Sequence, residues 1–446
     1  MKKRLFLKTG AALTAGSLLS PLQSCMNQPK PSITNWSGNL IYSTKNIDYP
    51  SSLDELSSIV KKHSKIKALG TQHCFNNIAD SEHHLVSTKN LNEIISIDKV
   101  NHTVHVEPGI KYGTLAAYLQ KEGFALHNLA SLPHISVGGA CTTATHGSGI
   151  NNGNLATQVV AFDLLHADGN INSYSKTTDA NSFNAALIGL GALGIFTKMT
   201  LSIEPTYQVR QDVFENLPFE MLKSHFEEIM SAGYSVSLFT DWMNNNVSEV
   251  WIKSKMIEDQ PFTPLTDLFG ARPATKNIHP IIELDAINCT GQLGIPGPWH
   301  ERLPHFKMNF TPSSGKELQA EYLIPIEYGY EALKAINDHG TAWKNDLFIS
   351  EIRTINADDL WMSTASQRKS VAIHFTWKQQ DNVYQLLPKV EALLKPFAVR
   401  PHWGKLFALD KKYFQSVYPR YGDFQAFVKE LDPNGKFSNK YLQDVL

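Results

Sequence analysis

Residues 69–76 read Leu69-Gly70-Thr71-Gln72-His73-Cys74-Phe75-Asn76 and directly follow residues 66–69, a short segment that we expect to form a β-strand. Glycine has no side chain, so a glycine loop at a strand end lets backbone N–H groups approach a phosphate closely. The dinucleotide-binding fingerprint GxGxxG is absent from this loop. The stretch therefore predicts a pyrophosphate-binding loop of a different type.

A second loop of similar composition follows further along the chain. It contains Ala130-Ser131-Leu132-Pro133-His134 and then Gly138-Gly139-Ala140-Cys141-Thr142-Thr143-Ala144-Thr145-His146-Gly147-Ser148-Gly149. Its last three residues are not a nucleophile elbow, because that motif requires glycine at the position of His146. A tightly packed glycine-rich turn is the alternative interpretation. The two loops together favour one shared cofactor site.

Short strands and helices are predicted around these loops. Ser52-Leu53-Asp54-Glu55 has the spacing of a capping box and opens a helix with an apolar stripe. A second helix is predicted over residues 112–122, ended by Gly123. Further strands are predicted over residues 84–88, 93–98, 102–106, 159–165, 171–174 and 195–203. This first domain should end near Glu204-Pro205.

Two later segments place polar side chains on one face of a strand. In Glu351-Ile352-Arg353 the i, i+2 spacing directs both charges to the same side. In residues 371–377 the odd positions are bulky and apolar, and the even ones are Ala372, His374 and Thr376. One face should therefore be core and the other a polar floor. A surface ion pair is the alternative for the two charges.

The second half of the chain has the order of a split βαβ unit. Strands are predicted over residues 234–242 and 249–255, and a Pro-rich interval over 261–280 predicts a long surface excursion. A β-α-β-β-α order then follows over residues 320–324, 327–338, 347–355, 370–377 and 383–394. This order predicts a ferredoxin-like antiparallel sheet with helices on one face.

These features resemble the alditol oxidases, flavoproteins of the vanillyl-alcohol oxidase superfamily. The shared motifs outside the two loops are Asn288-Cys289-Thr290, Ile295-Pro296-Gly297-Pro298-Trp299-His300-Glu301-Arg302-Leu303-Pro304-His305-Phe306, Phe310-Thr311-Pro312-Ser313-Ser314-Gly315, Arg400-Pro401-His402-Trp403-Gly404-Lys405 and Asp432-Pro433-Asn434-Gly435-Lys436-Phe437-Ser438-Asn439. The resemblance covers residues 35–446. It implies an α+β fold with a two-part FAD-binding PCMH-type domain (35–205), a ferredoxin-like antiparallel-sheet substrate or cap domain (206–400) and a C-terminal return to the FAD domain (401–446).

The resemblance implies FAD bonded covalently to one histidine. The first loop resembles the family motif Gly-x-Gly-His-Ser-x-Asn, with Gln72 and Cys74 as departures, and His73 matches the histidine that bonds the flavin 8α-methyl carbon. Ser131 and Leu132 occupy the place of a second, cysteine link in some relatives, so we expect a single bond and a packed Cys141. The residues implied to contact FAD are Gly70, Thr71, Gln72, His73, Cys74, Ser131, Ser136, Gly139, Thr143, Ala144, Thr145, His146 and Phe196.

The resemblance also implies the substrate and the reaction. A terminal primary alcohol of an alditol such as xylitol or sorbitol would be oxidised to the aldose, with hydride passing to flavin N5 and O2 reduced to hydrogen peroxide. The implied catalytic residues are Lys405, Arg353 and His374. The implied substrate-binding residues are Ser131, Glu351, Arg353, Thr376 and Lys405. Arginine stays charged, whereas a buried lysine can have a lowered pKa and exchange a proton.

Two other functions remain open from the sequence. One is a sugar-lactone oxidase or dehydrogenase of the same superfamily, and the other is a carbohydrate-binding lipoprotein without catalytic activity. The composition gives no support to a protein that binds nucleic acid or an anionic membrane surface. Its 41 basic and 42 acidic residues leave a net charge of −1 and no excess of positive charge. The sequence contains neither CxxC nor HExxH, so no metal site is expected. A monomer is expected.

Residues 1–30 have the features of an export signal and linker. Lys2, Lys3, Arg4 and Lys8 precede the small and apolar residues 11–19, and Leu22-Gln23-Ser24-Cys25 resembles a lipobox with Gln23 as its departure. The basic part resembles a twin-arginine signal with lysine in place of the first arginine. The prediction is a protein on the periplasmic side, lipid-anchored at Cys25. An uncleaved N-terminal membrane anchor is the alternative.

Overall fold

The computed structural model describes residues 32–257, 260–308 and 317–446. The predicted export segment with Cys25 and the motif at residues 310–315 therefore lie outside the described residues. The strands are β1 (Ile47–Asp48), β2 (Lys67–Leu69), β3 (Leu85–Ser87), β4 (Ile94–Asp98), β5 (Thr103–Val106), β6 (Phe124–Ala125), β7 (Val159–Leu165), β8 (Ile171–Ser175), β9 (Ile195–Ser202), β10 (Glu204–Pro205), β11 (Gln208–Pro218), β12 (Ser235–Thr240), β13 (Asn246–Met256), β14 (Arg272–Pro273), β15 (Gly297–Pro298), β16 (Glu317–Pro325), β17 (Leu347–Ile355), β18 (Ser370–Lys378) and β19 (Arg400–Pro401). The helices are α1 (Leu53–Lys62), α2 (Tyr112–Lys121), α3 (Val137–Thr142), α4 (Ala180–Ala186), α5 (Met221–Met230), α6 (Gly329–Asn337), α7 (Val383–Leu394), α8 (Lys411–Val417), α9 (Tyr421–Leu431) and α10 (Lys440–Val445).

The first part of the chain contains a small parallel sheet and a larger antiparallel one. The parallel sheet has the order β1-β3-β2, and the antiparallel sheet has the order β4-β5-β9-β7-β8. Helix α1 starts at the predicted cap, where the Ser52 hydroxyl accepts a hydrogen bond from the Glu55 backbone N–H. Strand β2 ends at Leu69, so the Gly70 loop leaves the sheet at a strand end, as the sequence predicted.

The second part of the chain forms one nine-stranded antiparallel sheet. Its order is β14-β11-β13-β12-β17-β18-β16-β19, and β15 pairs with β11. The predicted βαββα unit supplies β16, β17 and β18, which pair as β17-β18-β16. A second unit with the order β11-α5-β12-β13 joins it through the antiparallel pairing of β12 with β17. The cap is therefore the expected antiparallel sheet, enlarged by a second unit.

The alternation predicted for β18 separates core from cavity. Val371, Ile373, Phe375 and Trp377 are fully buried, and Phe375 stacks on Trp377 with ring centroids 5.1 Å apart. Helix α6 packs between α5 and α7 and contacts both β16 and β18. The sheet therefore has one face packed in the core and leaves its other face free to carry polar side chains.

The Pro-rich interval is only in part a surface excursion, contrary to the prediction for residues 261–280. Its last two residues, His279 and Pro280, are buried and turn into the interior together with Ile281. Ile281 belongs to a small apolar cluster with Val213 and Trp251 of the cap sheet. The end of the Pro-rich interval lies in the interior because burying this apolar cluster is energetically favourable.

The C-terminal segment returns to the first part of the chain. The Phe75 backbone N–H donates to the Gly404 carbonyl over 2.8 Å, and the Ile66 N–H donates to the Lys436 carbonyl over 2.9 Å. The Asn439 side-chain amide donates to the Asp80 carbonyl over 2.8 Å. The domain boundaries at residues 205 and 400 remain predictions. Among the described residues, no helix combines the length and apolar character that crossing a membrane requires.

Candidate active site

One cavity extends from the Gly70 loop, past the second glycine loop, to the polar face of the cap sheet. Most of the predicted site residues line it: Gly70, Thr71, Gln72, His73, Cys74, Ser131, Gly139, Thr143, Thr145, His146, Phe196, Glu351, Arg353, His374, Thr376 and Lys405. Ser136 and Ala144 do not. Ala144 has φ +56° and its methyl group is fully buried in the core, while Ser136 lies behind the two glycine loops.

The two glycine loops are held in close contact around Ser136. A Cβ atom added at Gly70 would lie 3.0 Å from Ser136 Oγ, and one added at Gly139 would lie 2.9 Å from it. The Ser136 backbone N–H donates to Thr71 Oγ1 over 3.3 Å. Glycine at positions 70 and 139 therefore lets the two loops pack closely around Ser136, and both glycines line a side-chain-poor groove of the cavity. Such a groove fits the pyrophosphate of FAD.

His73 lies buried on the wall of the cavity. Both of its ring nitrogens are buried without a hydrogen-bond partner in the described chain, although the ring lines the cavity. The imidazole stacks on Trp36, with centroids 5.6 Å apart and planes inclined by 17°. Burial lowers the pKa of His73 to about 4, so the ring is neutral at pH 7. A neutral, unpartnered nitrogen is free to act as a nucleophile.

Cys141 is buried, as predicted, and its sulfur lies 3.6 Å from the Tyr112 hydroxyl. Burial raises the pKa of the Cys141 thiol to about 12, so it carries no thiolate at neutral pH. Cys74, the departure from the family motif, does line the cavity beside His73, and burial raises the pKa of its thiol to about 12 as well. Neither thiol competes with His73 as a nucleophile.

A row of polar residues crosses the cap sheet at the other end of the cavity. His374 on β18 lies in register between Glu321 on β16 and Glu351 on β17. Arg353 lies two residues after Glu351 on the same strand face. The structure thus brings together the predicted residues of three separate segments. It also adds Glu321, which the sequence analysis did not select.

Glu321 is the central anion of this group. Its side chain is 1% exposed, and its carboxylate forms ion pairs with Arg353 Nη2 and with Lys405 Nζ, the latter over 2.6 Å. His146 Nε2 lies 3.3 Å away and belongs to the second glycine loop. One carboxylate therefore holds two cations from different parts of the chain. A buried anion with this many partners fixes their positions.

The protonation states follow from these contacts. Burial opposes the charge of Arg353, but Glu321 and Glu351 together raise the pKa of Arg353. Burial acts in the same direction on Lys405, but here it outweighs the opposing effect of Glu321, so the pKa of Lys405 is lowered. The pair thus contains one permanent cation and one lysine that loses its proton more readily than usual. This is the division of roles that the sequence predicted for Arg353 and Lys405.

The tautomer of His374 is fixed by its two neighbours. Lys405 Nζ lies 2.8 Å from His374 Nδ1, and His374 Nε2 lies 3.0 Å from Thr376 Oγ1. Burial lowers the pKa of His374 to about 3, so the ring is neutral. Since the protonated lysine can only donate, Nδ1 accepts and Nε2–H donates to the threonine hydroxyl. His374 therefore orients the lysine ammonium group through Nδ1.

The Asn76 side chain at the end of the Gly70 loop holds the backbone at Lys405. The Asn76 side-chain amide donates to the carbonyl of Lys405 over 2.6 Å and to that of Trp403 over 2.8 Å. Asn76 is the last residue of the first quoted stretch, three positions after His73. His73 and the backbone of Lys405 are therefore held by one short loop.

Glu351 is held by a chain of buried groups behind it. His305 Nε2 lies 2.7 Å from Glu351 Oε1, and Lys253 Nζ lies 2.9 Å from His305 Nδ1. Lys253 also donates to the carbonyl of Leu303. Burial lowers the pKa of Lys253 to about 7 and that of His305 to about 4. The lysine holds the imidazole as the Nε2–H tautomer, which donates to Glu351.

Replacing Lys253 with methionine should therefore raise the KM for a substrate bound at Glu351 more than it lowers kcat. The substitution leaves His305 free to change tautomer, so Glu351 loses a fixed donor but the Glu321 group stays intact. We expect KM to rise about tenfold, the effect of one hydrogen bond to a charged group. Steady-state kinetics measure both constants. An equal fall in kcat, with KM unchanged, would contradict this role.

Comparison with known proteins identifies the family. The FAD binding domain family matches residues 45–175, and the D-arabinono-1,4-lactone oxidase family matches residues 308–445. Over 418 residues the chain is 42% identical to the alditol oxidase of Streptomyces sp. (strain IKD472 / FERM P-14339), covering 93% of this chain and 99% of that protein. The chain belongs to the vanillyl-alcohol oxidase flavoprotein family. It is an FAD-dependent oxidase with a small-molecule substrate and O2 as partners.

Family members that are named for other substrates have lower sequence identity to this chain. The L-gulonolactone oxidase of Mus musculus is 26% identical, over 92% of this chain and 97% of that protein. A solvent-stable cholesterol oxidase has a TM-score of 0.74 at 15% identity, covering 93% of this chain and 97% of the other, and shows the fold alone. The predicted PCMH-type FAD-binding fold with an antiparallel-sheet cap is confirmed.

Proposed function

We propose that this flavoprotein oxidises the terminal primary alcohol of an alditol, such as xylitol or sorbitol, to the aldose, with hydrogen peroxide as the second product. The observation that carries the proposal is the clustering of Glu321, Glu351, Arg353, His374 and Lys405 at one end of the cavity. Such a group offers donors and acceptors to several hydroxyls of one open chain. A pocket that pairs several hydroxyls discriminates strongly against molecules lacking them.

The FAD would lie between His73 and the glycine groove, where it supplies hydride acceptance and electron transfer to O2. Arg353 would bind the reacting hydroxyl oxygen and stabilise the negative charge that develops on it. Lys405 would take the hydroxyl proton, directly or with His374, since burial lowers the pKa of Lys405 and makes its neutral form easier to reach. Ser131, whose Oγ lies 3.4 Å from Arg353 Nη1, would bind a neighbouring hydroxyl together with Glu351 and Thr376.

A comparison of substrates tests the proposal against the sugar-lactone alternative. Purified enzyme is supplied with xylitol, sorbitol and L-gulono-1,4-lactone in air, and hydrogen peroxide is measured. We expect peroxide from both alditols at kcat/KM values at least a hundredfold above that for the lactone, which lacks the open row of hydroxyls. Faster oxidation of the lactone would contradict the proposal. Turnover only with an artificial dye would identify a dehydrogenase.

We also propose that FAD is bonded covalently to His73. Replacing His73 with alanine should release the flavin when the protein is precipitated with acid, because the only attachment is lost. The absorbance of the washed pellet and of the supernatant measures this directly. Cys74→Ser is the matched control, since Cys74 lines the same part of the cavity, and it should keep the flavin in the pellet. Flavin retained in the His73→Ala pellet would place the bond elsewhere.

The cellular location is proposed from the sequence of residues 1–30. We infer a monomer on the periplasmic side, held to the membrane by lipid at Cys25, and a single acyl chain would need further acylation to anchor stably. Mass spectrometry of the N-terminal peptide after expression with the intact leader measures the modification. A cleaved chain whose first residue is a lipid-bearing Cys25 is expected. An unmodified peptide containing residues 1–25 would support the uncleaved anchor.

A further inference from the structure

A second polar cluster lies on the first part of the chain, and none of its members lines the cavity. It consists of Asp48, His63 and His84, each of which offers one donor atom within 4.8 Å of the other two. His84 Nε2 lies 2.9 Å from Asp48 Oδ2. The imidazole of His63 stacks on that of His84, with centroids 3.7 Å apart and planes inclined by 15°. Two imidazoles and a carboxylate thus converge from three segments.

One of these ligand atoms has no partner. His63 Nε2 is buried, and no hydrogen bond to it exists among the described residues. A buried polar atom left unpaired is unfavourable, so such an atom is expected to have a partner that the protein itself does not supply. Asp48 keeps 42% of its side chain exposed, whereas His84 keeps 13%. The cluster is therefore reachable from solvent on its carboxylate side.

The fold places the three ligands independently of any ion. Parallel pairing of β1 with β3 sets Ile47 opposite Leu85, which makes Asp48 and His84 neighbours. Helix α1 ends at His63, whose backbone N–H donates to the Ile59 carbonyl. Val60 of that helix packs in one apolar cluster with Val86 of β3. The helix end and the strand start are thus fixed against each other by core packing.

From this geometry we propose that Asp48, His63 and His84 form a binding site for a transition-metal ion of the Zn²⁺ class. Two imidazole nitrogens and one carboxylate oxygen are ligands that Zn²⁺ accepts, leaving a fourth position for water. Tetrahedral coordination at ordinary bond lengths separates the ligand atoms by about 3.4 Å, whereas these atoms lie within 4.8 Å of one another with the two imidazoles stacked, so the side chains turn to receive the ion. The bound ion ties β1, α1 and β3 together.

The ligand atoms select the kind of metal, since the cluster offers one carboxylate oxygen and two imidazole nitrogens. Imidazole nitrogen favours Zn²⁺ or Co²⁺, whereas Mg²⁺ and Ca²⁺ prefer oxygen ligands. The site should therefore discriminate against Mg²⁺.

Calorimetric titration of the FAD-loaded enzyme with ZnCl2 tests this site. The protein carries no polyhistidine tag and is first dialysed against a chelator. We expect one Zn²⁺ ion per chain and no detectable heat of binding with MgCl2. His63→Ala and His84→Ala should each weaken zinc binding more than tenfold, because each removes a ligand. His83→Ala is the matched control, since His83 is exposed and adjacent to His84, and it should bind zinc as the unmodified enzyme does.

Controls distinguish the loss of a metal ligand from misfolding, and the zinc titration does not depend on the alditol oxidase proposal. Flavin absorbance and the melting temperature in the absence of zinc show whether each variant is folded. A further variant, Asp48→Asn, keeps the volume of the side chain and removes its charge, so it should weaken zinc binding. It provides the test if a histidine variant fails to fold. Absence of zinc binding, or equal binding by wild type, His63→Ala and Asp48→Asn, would overturn the proposal whatever the substrate of the oxidase.

Discussion

Replacing Lys405 with methionine is expected to lower kcat for xylitol by about a thousandfold, the range that a positioned general base contributes. Burial lowers the pKa of Lys405, and its Nζ contacts both Glu321 Oε2 and His374 Nδ1. Methionine fills a similar volume but cannot accept a proton. Steady-state peroxide production at saturating xylitol measures the loss.

The pH dependence of kcat/KM distinguishes proton transfer from simple charge stabilisation. In the unmodified enzyme kcat/KM should fall as pH falls, because protonated Lys405 cannot take the hydroxyl proton. Lys405→Met should lose this acidic limb together with the rate. Lys405→Arg keeps a positive charge that does not exchange protons near neutral pH, and it should be almost as slow as Lys405→Met. An arginine variant with near wild-type kcat would contradict the role of base.

Glu321→Gln is expected to destabilise the protein by about 3 kcal/mol, because breaking a buried ion pair leaves an uncompensated charge. Arg353 and Lys405 both lose their shared anion in this variant. Glu321 also raises the pKa of Lys405, so its removal should lower that pKa further. Neutral Lys405 then persists to lower pH, and the acidic limb of kcat/KM should move toward lower pH. Chemical denaturation and pH–rate profiles measure the two effects.

Glu317→Gln is the matched control for this substitution. Glu317 is buried on the same strand β16, and burial raises the pKa of Glu317 to about 7. Its Oε1 accepts a hydrogen bond from Gln319 over 2.6 Å, a contact that a glutamine can retain. We expect a change in stability below about 1 kcal/mol. If Glu321→Gln proved as stable as Glu317→Gln, with an unchanged pH profile, Glu321 would not be the central anion.

The cap sheet shows how far local patterns predict structure. The strand predicted over residues 347–355 and the helix over 383–394 have these bounds in the structure, as β17 and α7. Strand β13 instead begins at Asn246, three residues before its prediction over 249–255. Asn244 and Asn245 adopt positive φ and make a tight turn, which extends the pairing with β11 to Asn246. Asparagine tolerates that conformation, so the sequence alone did not separate turn from strand.

Some of the site residues that the sequence analysis missed could have been predicted from the sequence, and others could not. Glu317, Gln319 and Glu321 recur at every second position of an otherwise apolar strand, so the period of two could have placed Glu321 on the cavity face. Lys253 and His305 come from segments 52 residues apart, and only the fold brings them to Glu351. The Asp48, His63 and His84 cluster likewise has no motif spacing. Contacts of this kind depend on tertiary packing.

Anaerobic stopped-flow reduction of the flavin by xylitol tests the central claim most directly. Without O2, the measurement follows only hydride transfer from the alditol to the flavin. Flavin absorbance should be lost on mixing, and the rate constant of this loss should be smaller with xylitol deuterated at both terminal carbons. In Lys405→Met the rate constant with ordinary xylitol should be about a thousandfold smaller than in the unmodified enzyme. No loss of flavin absorbance with xylitol or sorbitol, combined with rapid loss on mixing with a sugar lactone, would contradict the assignment of an alditol to this pocket.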